Sequence, residues 1–132
     1  MSDLGEDLAA DLADWLSDDS PMPAPPGTVY FALFDSTDTE VTGDFENGRV
    51  GLDNPTELDR TNTAVENAAE INFGEATANV DTVENVALLD SDTGGDMLAY
   101  GEIDDAPFDV SSGVTLFFDP GELTLDFVDR TQ

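Results

Sequence analysis

The sequence predicts an all-β protein: a small, jelly-roll-like antiparallel β-sandwich of about seven or eight strands with an amphipathic helix at its N-terminus. Three observations carry this. β-branched and aromatic runs, above all Thr28 to Phe34 (T-V-Y-F-A-L-F), recur between clusters of Gly, Asp, Asn and Pro. Two apolar runs, Val86 to Leu89 and Met97 to Tyr100, flank the polar stretch Asp90-Ser91-Asp92-Thr93-Gly94-Gly95-Asp96, which reads as a hairpin turn. Ala69 to Phe73 and Leu123 to Phe127 alternate apolar and polar, as half-buried strands do.

The chain has 132 residues, room for one domain with a real core. Hydrophobic residues make up 39%, enough that wholesale disorder is not expected. Three parts are predicted: an N-terminal helical arm at 1–20, a proline-rich linker at 21–27 and a β-sandwich domain at 28–132.

In the arm, residues 2–18 read as a helix. Leu4, Leu8, Leu12, Trp15 and Leu16 recur every three or four residues and share a face. Ser2 is the expected N-cap, and Asp3 and Glu6 suit the first turn. Asp18 and Asp19 oppose the dipole at the far end, and Gly5 weakens the helix. These five apolar residues are the expected contact with a partner or with the chain's own domain. Burying four such side chains is worth about 1.5–3 kcal/mol each before ordering costs. Pro21, Pro23, Pro25 and Pro26 then make a stiff, extended spacer.

Thr28 to Phe34 is apolar on both faces and should lie centrally in a sheet. Val41 and Thr42 start a short strand, and Arg49 to Leu52 form another. Asp53 to Asn67, broken by Pro55, reads as a polar surface loop. Ala69 to Phe73, the hairpin that begins near Val83 and ends at Ile103, a short edge piece at Phe108 to Val110, Val114 to Phe118 and Leu123 to Phe127 complete the strands.

Charge narrows the function. There are 31 Asp and Glu against 3 Lys and Arg, a net charge of −28. Such a chain does not bind nucleic acid by neutralising phosphates. A disordered acidic tail keeps its acids in blocks, whereas here they are scattered among apolar strands. Two readings stand: a surface adapted to high salt, where repulsion between carboxylates is screened, and an acidic mimic of DNA acting as an inhibitor.

Catalysis finds little material. Without His, Cys or Lys, the usual pairs of nucleophile and base cannot be assembled. Among so many acids, a carboxylate pair at a suitable distance carries no information. The chain is read as no enzyme, without cofactors. Without cysteine there is no disulfide. No apolar run approaches the roughly 20 residues that span a membrane. Asp3, Glu6 and Asp7 stand where a secretion signal would be basic. Asp90, Asp92 and Asp96 are weak metal candidates, since oxygen donors alternate along that turn. A calcium loop of the EF-hand type needs a Glu at its twelfth position, which here is Gly101. Weakly bound cations are the most this turn is expected to hold.

The order of the pieces carries a resemblance. V-Y-F-A-L-F (Val29 to Phe34) is followed by T-E-V-T-G (Thr39 to Gly43) and T-A-V-E-N-A-A-E-I-N-F (Thr63 to Phe73). Then come V-A-L-L-D-S-D-T-G-G-D-M-L-A-Y-G (Val86 to Gly101) and V-S-S-G-V-T-L-F-F-D-P-G-E-L-T-L (Val110 to Leu125). This resembles a family of small virion proteins of tailed viruses, often labelled phage tail fibre or minor structural protein. Its members carry a V-Y-V-A-L-F strand, an F-x-L-F-D-A-x-T-G-G-x-L-L-x-Y-G hairpin and an A-G-D-x-x-x-F-x-x-G-x-L-x-V closing segment. The family's G-G-x-Y-A-R segment is replaced here by Gly43 to Arg49, where only the basic residue is recognisable.

The resemblance implies a non-enzymatic virion component repeated in many copies. With the acid excess, it suggests a haloarchaeal tailed virus. Lacking repeats, a coiled coil or a long shaft, the chain is read first as a decoration or turret protein on the capsid surface. The alternative is a tail-fibre or tail-tip component that binds a receptor. Expected partners are copies of itself in a trimer or pentamer ring, other virion proteins such as the major capsid protein, and a host surface. Neither nucleic acid nor membrane insertion is expected.

Overall fold

The computed structural model describes residues 2–17, 26–54, 56–61, 64–103 and 106–126. It is an all-β sandwich with one short helix, as its sequence predicts. The described residues form eleven strands rather than seven or eight. In chain order these are β1 (Ser2–Leu4), β2 (Thr28–Asp35), β3 (Val50–Asp53), β4 (Leu58–Thr61), β5 (Ala64–Asn67), β6 (Ile71–Glu75), β7 (Val80–Leu89), β8 (Met97–Glu102), β9 (Phe108–Val110), β10 (Thr115–Phe118) and β11 (Thr124–Asp126). The helix α1 is Glu6–Leu16.

One six-stranded sheet runs in the order β1-β8-β7-β2-β3, with β9 also paired to β7. Two smaller sheets, β10-β6 and β11-β5-β4, supply the other layer. All the pairings are antiparallel. β2 sits between β7 and β3, the interior place its two-sided apolar pattern requires. Alternation along β2 and β7 sends Phe31, Leu33, Val86 and Leu88 into the core shared with Ile71, Phe73, Phe118, Leu123 and Leu125. Ala32, Ala87 and Leu89 face the other way, packed with Phe34, Met97 and Tyr100. Phe45, Phe73 and Phe118 pack in series at the core, the first pair tilted and the second edge to face, with centroid distances of 6.2 Å at both steps.

The predicted hairpin is present. β7 and β8 pair with Val86 opposite Gly101, Ala87 opposite Tyr100 and Leu88 opposite Ala99.

Four expectations are corrected. Residues 2–4 are a strand, not the first turn of a helix. The helix starts after Gly5, which is extended at φ −66° and ψ 156° and caps without a side chain, so Ser2 is not the N-cap. Val41 and Thr42 do not begin a strand; Thr42–Asp44 is a single 3-10 turn. The buried Thr42 hydroxyl accepts from the Leu33 amide at 3.0 Å and donates to Glu40 at 2.7 Å, taking the place of a ladder bond. The polar stretch 53–67 is not wholly loop, since it holds β4 and β5. Asn67 explains why. It is buried, donates to the carbonyls of Ala69 and Asp119, and accepts from the Leu123 amide, stitching β5 to the closing segment. Of the predicted linker, 21–25 lies outside the described residues. So does Phe127, the expected last residue of the closing strand. Pro26 and Gly27 are described, and Asn54 holds both through its side-chain and backbone amides.

Candidate functional site

The N-terminal segment is built onto the sheet rather than hung from it. β1 pairs with β8 at three positions: Ser2 with Gly101, Asp3 with Tyr100 and Leu4 with Ala99. The Gly5 amide then donates to the Leu98 carbonyl at 2.7 Å. A Cβ on Gly5 would lie 1.8 Å from the Met97 carbonyl oxygen, so only glycine lets the chain turn here from strand into helix. α1 packs along β8. It ends at Ser17, whose amide bonds the Ala13 carbonyl at 3.0 Å and whose hydroxyl bonds the Asp14 carbonyl at 3.1 Å. No basic residue lies in the last turn to meet the dipole.

Of the five expected contact residues, Leu4 belongs to β1 and stands apart from the helix. The other four share α1. Leu8 and Leu12 are half-buried. Trp15 is 52% exposed and Leu16 70% exposed. A Trp and a Leu thus leave large apolar side chains open to water at one helix end.

The hairpin turn that carries Asp90, Asp92 and Asp96 is tied down by a basic residue from another part of the chain. Arg49 reaches across and donates through one terminal nitrogen to the carbonyls of Ser91 at 3.0 Å and Gly94 at 2.9 Å. Its other nitrogens form a fork on Glu40, at 3.0 and 2.8 Å. The hydrogen bond with Arg49 holds the Glu40 carboxyl below its ordinary value, and the same bond raises the guanidinium. Asp90 accepts from the Asp96 backbone amide at 2.8 Å. The turn thus already carries a positive charge, that of Arg49. Among the described residues, no group of three or more acidic side chains is placed to hold a metal ion. Gly95 closes the turn at φ 77°, and a Cβ there would lie 2.6 Å from the Asp90 carboxylate.

Beside this network, the Tyr100 hydroxyl donates to Asp38. Burial, and then that carboxylate, push the phenol well above its ordinary value. Residues 35–49 are therefore tied to the β7–β8 hairpin at two places, through Arg49 and through Asp38. Arg49 is absent from the site residues expected from the sequence. Its signal was its rarity: three basic residues stand among 31 acids.

Two further surfaces stand out. Val114, 50% exposed, and Phe117, 48% exposed, lie on and beside β10. An apolar cleft of about 410 Å³ opens between the sheets, lined by Pro26, Val29, Leu58, Val65, Leu88 and Leu98, with Asp59 and Arg60 also on its wall.

The comparison with known families falls on this whole arrangement. Residues 4–126 match the model of the family described as podophage GP4 fiber I protein gp80. The chain belongs to this family. The match runs from β1 to the last residue of β11, so it takes in the helix, the hairpin and the Arg49 network alike. No curated protein matches the chain. Membership makes it a phage fibre structural protein, of a family not known for catalysis.

Proposed function

We propose that this protein is a tail-fibre component of a phage particle, held among other virion proteins through the exposed end of α1. The family match over residues 4–126 carries the reading and favours the tail over the capsid surface. Trp15 and Leu16 support the mode of attachment, because their apolar surface is left open by the chain's own domain. The acid excess supports a virus whose particles meet molar salt, as those of haloarchaea do. The protein acts structurally, in several copies, and the outer loops are the part free to meet a host surface. The match lends no support to the DNA-mimic reading.

Gold-labelled antibody on intact particles tests the location. Label along the tail is the expected result; label over the head shell would overturn the fibre reading and restore capsid decoration. The double substitution Trp15→Ser and Leu16→Ser tests attachment. Both residues are exposed, so the domain should fold, yet its incorporation into particles should fall at least tenfold.

A further inference from the structure

We propose that β10 is a self-association edge, at which two copies of this chain pair their β10 strands antiparallel about a two-fold axis at Leu116. This goes beyond the fibre reading and does not depend on it, because it rests on the bonding and charge pattern around β10.

The first observation is an open ladder. Among the described residues β10 pairs with β6 alone. The far side of β6 is taken, since the Glu46 and Asn47 amides donate to the Glu75 and Phe73 carbonyls. The Ala76 amide donates to the Val114 carbonyl at 2.9 Å, so Val114 addresses the β6 side. Thr115 lies opposite Glu75, Leu116 opposite Gly74 and Phe117 opposite Asn72. The extra residue, Phe73, therefore belongs to β6, and β10 keeps its own alternation. The amides and carbonyls of Thr115 and Phe117 thus point away from β6. Among the described residues no hydrogen bond reaches them. Their side chains are exposed as well, while Leu116 and Phe118 turn to the core.

The second observation is charge. Six other strands end a sheet, and each carries an acid: Asp3 in β1, Asp53 in β3, Asp59 in β4, Glu75 in β6, Asp109 in β9 and Asp126 in β11. Charges on an edge keep other strands away. β10 has none, and no acid lies between Asp109 and Asp119. This clearing favours a second copy over another virion protein. A basic partner is drawn to acids and a neutral one is indifferent to them. A copy of net charge −28 is repelled wherever carboxylates meet, so it needs an edge without them.

The edge also selects its register. With the axis at Leu116, Thr115 of each copy lies opposite Phe117 of the other, and each such pair exchanges both of its open backbone bonds. Thr115 and Phe117 then form a β-branched and aromatic pair on the outer face. Asp119 meets Gly113 rather than another acid. An axis at Thr115 would set Phe117 against Gly113, whose amide already bonds the Ala76 carbonyl. An axis at Phe117 would set Thr115 against Asp119, whose amide already bonds the Glu122 carboxylate. With the axis at Leu116, β6 of each copy lies outside the pair. The two Glu75 residues are then three strand spacings apart, about 14 Å. The Debye length in molar salt is about 3 Å, so their repulsion is screened.

Sedimentation equilibrium of the full chain in molar sodium chloride, up to millimolar protein, is the first measurement. The expected mass at high concentration is twice the 14.0 kDa of one chain. A single-chain mass throughout would overturn the proposal and leave the edge to a different virion protein. Residue-resolved amide exchange is the second. The Thr115 and Phe117 amides should be protected in the dimer and lose that protection on dilution. A dimer in which both exchange as freely as in the single chain would mean that the copies meet elsewhere. Phe117→Glu puts a charge on the edge at an exposed position and should weaken association about a hundredfold. Thr115→Pro removes an amide that bonds nothing within one copy and should weaken it too. Undiminished dimers from both variants would count against β10 pairing, and the exchange pattern of the wild type decides the matter even where a variant fails to fold.

Discussion

At the scale of single residues, Arg49 and Gly5 show opposite ways of fixing a chain. Arg49 works by charge and geometry, because one guanidinium satisfies two turn carbonyls and a carboxylate at once. Arg49→Met should lower stability by about 1–3 kcal/mol, since it takes this donor from the Ser91 and Gly94 carbonyls and leaves Glu40 with the Thr42 hydroxyl alone. Thermal melting of both proteins measures this. The pH dependence has a definite sign. The folded Glu40 carboxyl lies below its ordinary 4.5, so the pair's stabilisation is complete above that value and is lost as pH falls through and below it. The difference in Tm between wild type and Arg49→Met should therefore be widest near neutrality and narrow in acid to the part that the Ser91 and Gly94 bonds supply; a constant gap would show that the ion pair adds nothing to what Arg49 contributes. Gly5 works by absence. Gly5→Ala places a methyl within bonding distance of the Met97 oxygen, so β1 must leave β8 or the backbone must shift. The expected result is loss of amide-exchange protection in β8 and a changed emission from Trp15, the chain's single tryptophan.

At the scale of elements, legibility followed the source of each element's stability. β2 and the β7–β8 hairpin are stabilised by burial of their own apolar residues, and that burial is written in their sequence as runs and alternation. The small sheet β4-β5-β11 is stabilised differently. Its β5 depends on Asn67, a polar residue buried by its bonds to Ala69, Asp119 and Leu123. Asp59, Arg60 and Glu66 surround it in sequence, so the stretch looks like a loop. Nothing local announces that two of the three partners of one Asn lie more than fifty residues away. β1 was hidden for a related reason: its Leu4 fits a helical stripe with Leu8 and Leu12, while the deciding contact, Gly5 against Met97, is made across the fold. The exposed end of α1 was legible as a stripe, but which of its members stay open was set by packing on β8. Asn67→Ala tests the account of the small sheet. It strips partners from a buried amide and two carbonyls and should cost about 2–4 kcal/mol. In a chain of this size that lowers Tm by about 10 °C. Exchange protection should be lost first in β5 and β11, with β2 and β7 keeping theirs. Uniform loss across all strands would mean that the small sheet has no separate dependence on Asn67.

At the scale of the whole molecule, charge rather than packing sets the conditions under which the fold survives. The net charge is −28, and among the described residues one salt bridge, Arg49 to Glu40, offsets it. The remaining carboxylates repel one another across a small surface, and folding brings them closer than they are in the open chain. At 0.01 M salt the Debye length is about 30 Å, comparable to the molecule, so nearly every pair contributes. At 1 M it is about 3 Å, and only adjacent groups still interact. Tm should therefore rise steeply with sodium chloride from millimolar to molar, and circular dichroism with Trp15 emission should show a loosened domain at the low end. Salt also strengthens apolar burial, so the rise alone does not isolate the charges. A variant neutralised at exposed carboxylates, Glu70→Gln, Asp81→Asn and Glu102→Gln, separates the two effects. If repulsion dominates, this variant melts higher than wild type in dilute buffer, and the two curves converge at molar salt. Parallel curves would assign the salt effect to the core, and full stability of the wild type at millimolar salt would remove the case for a salt-adapted particle.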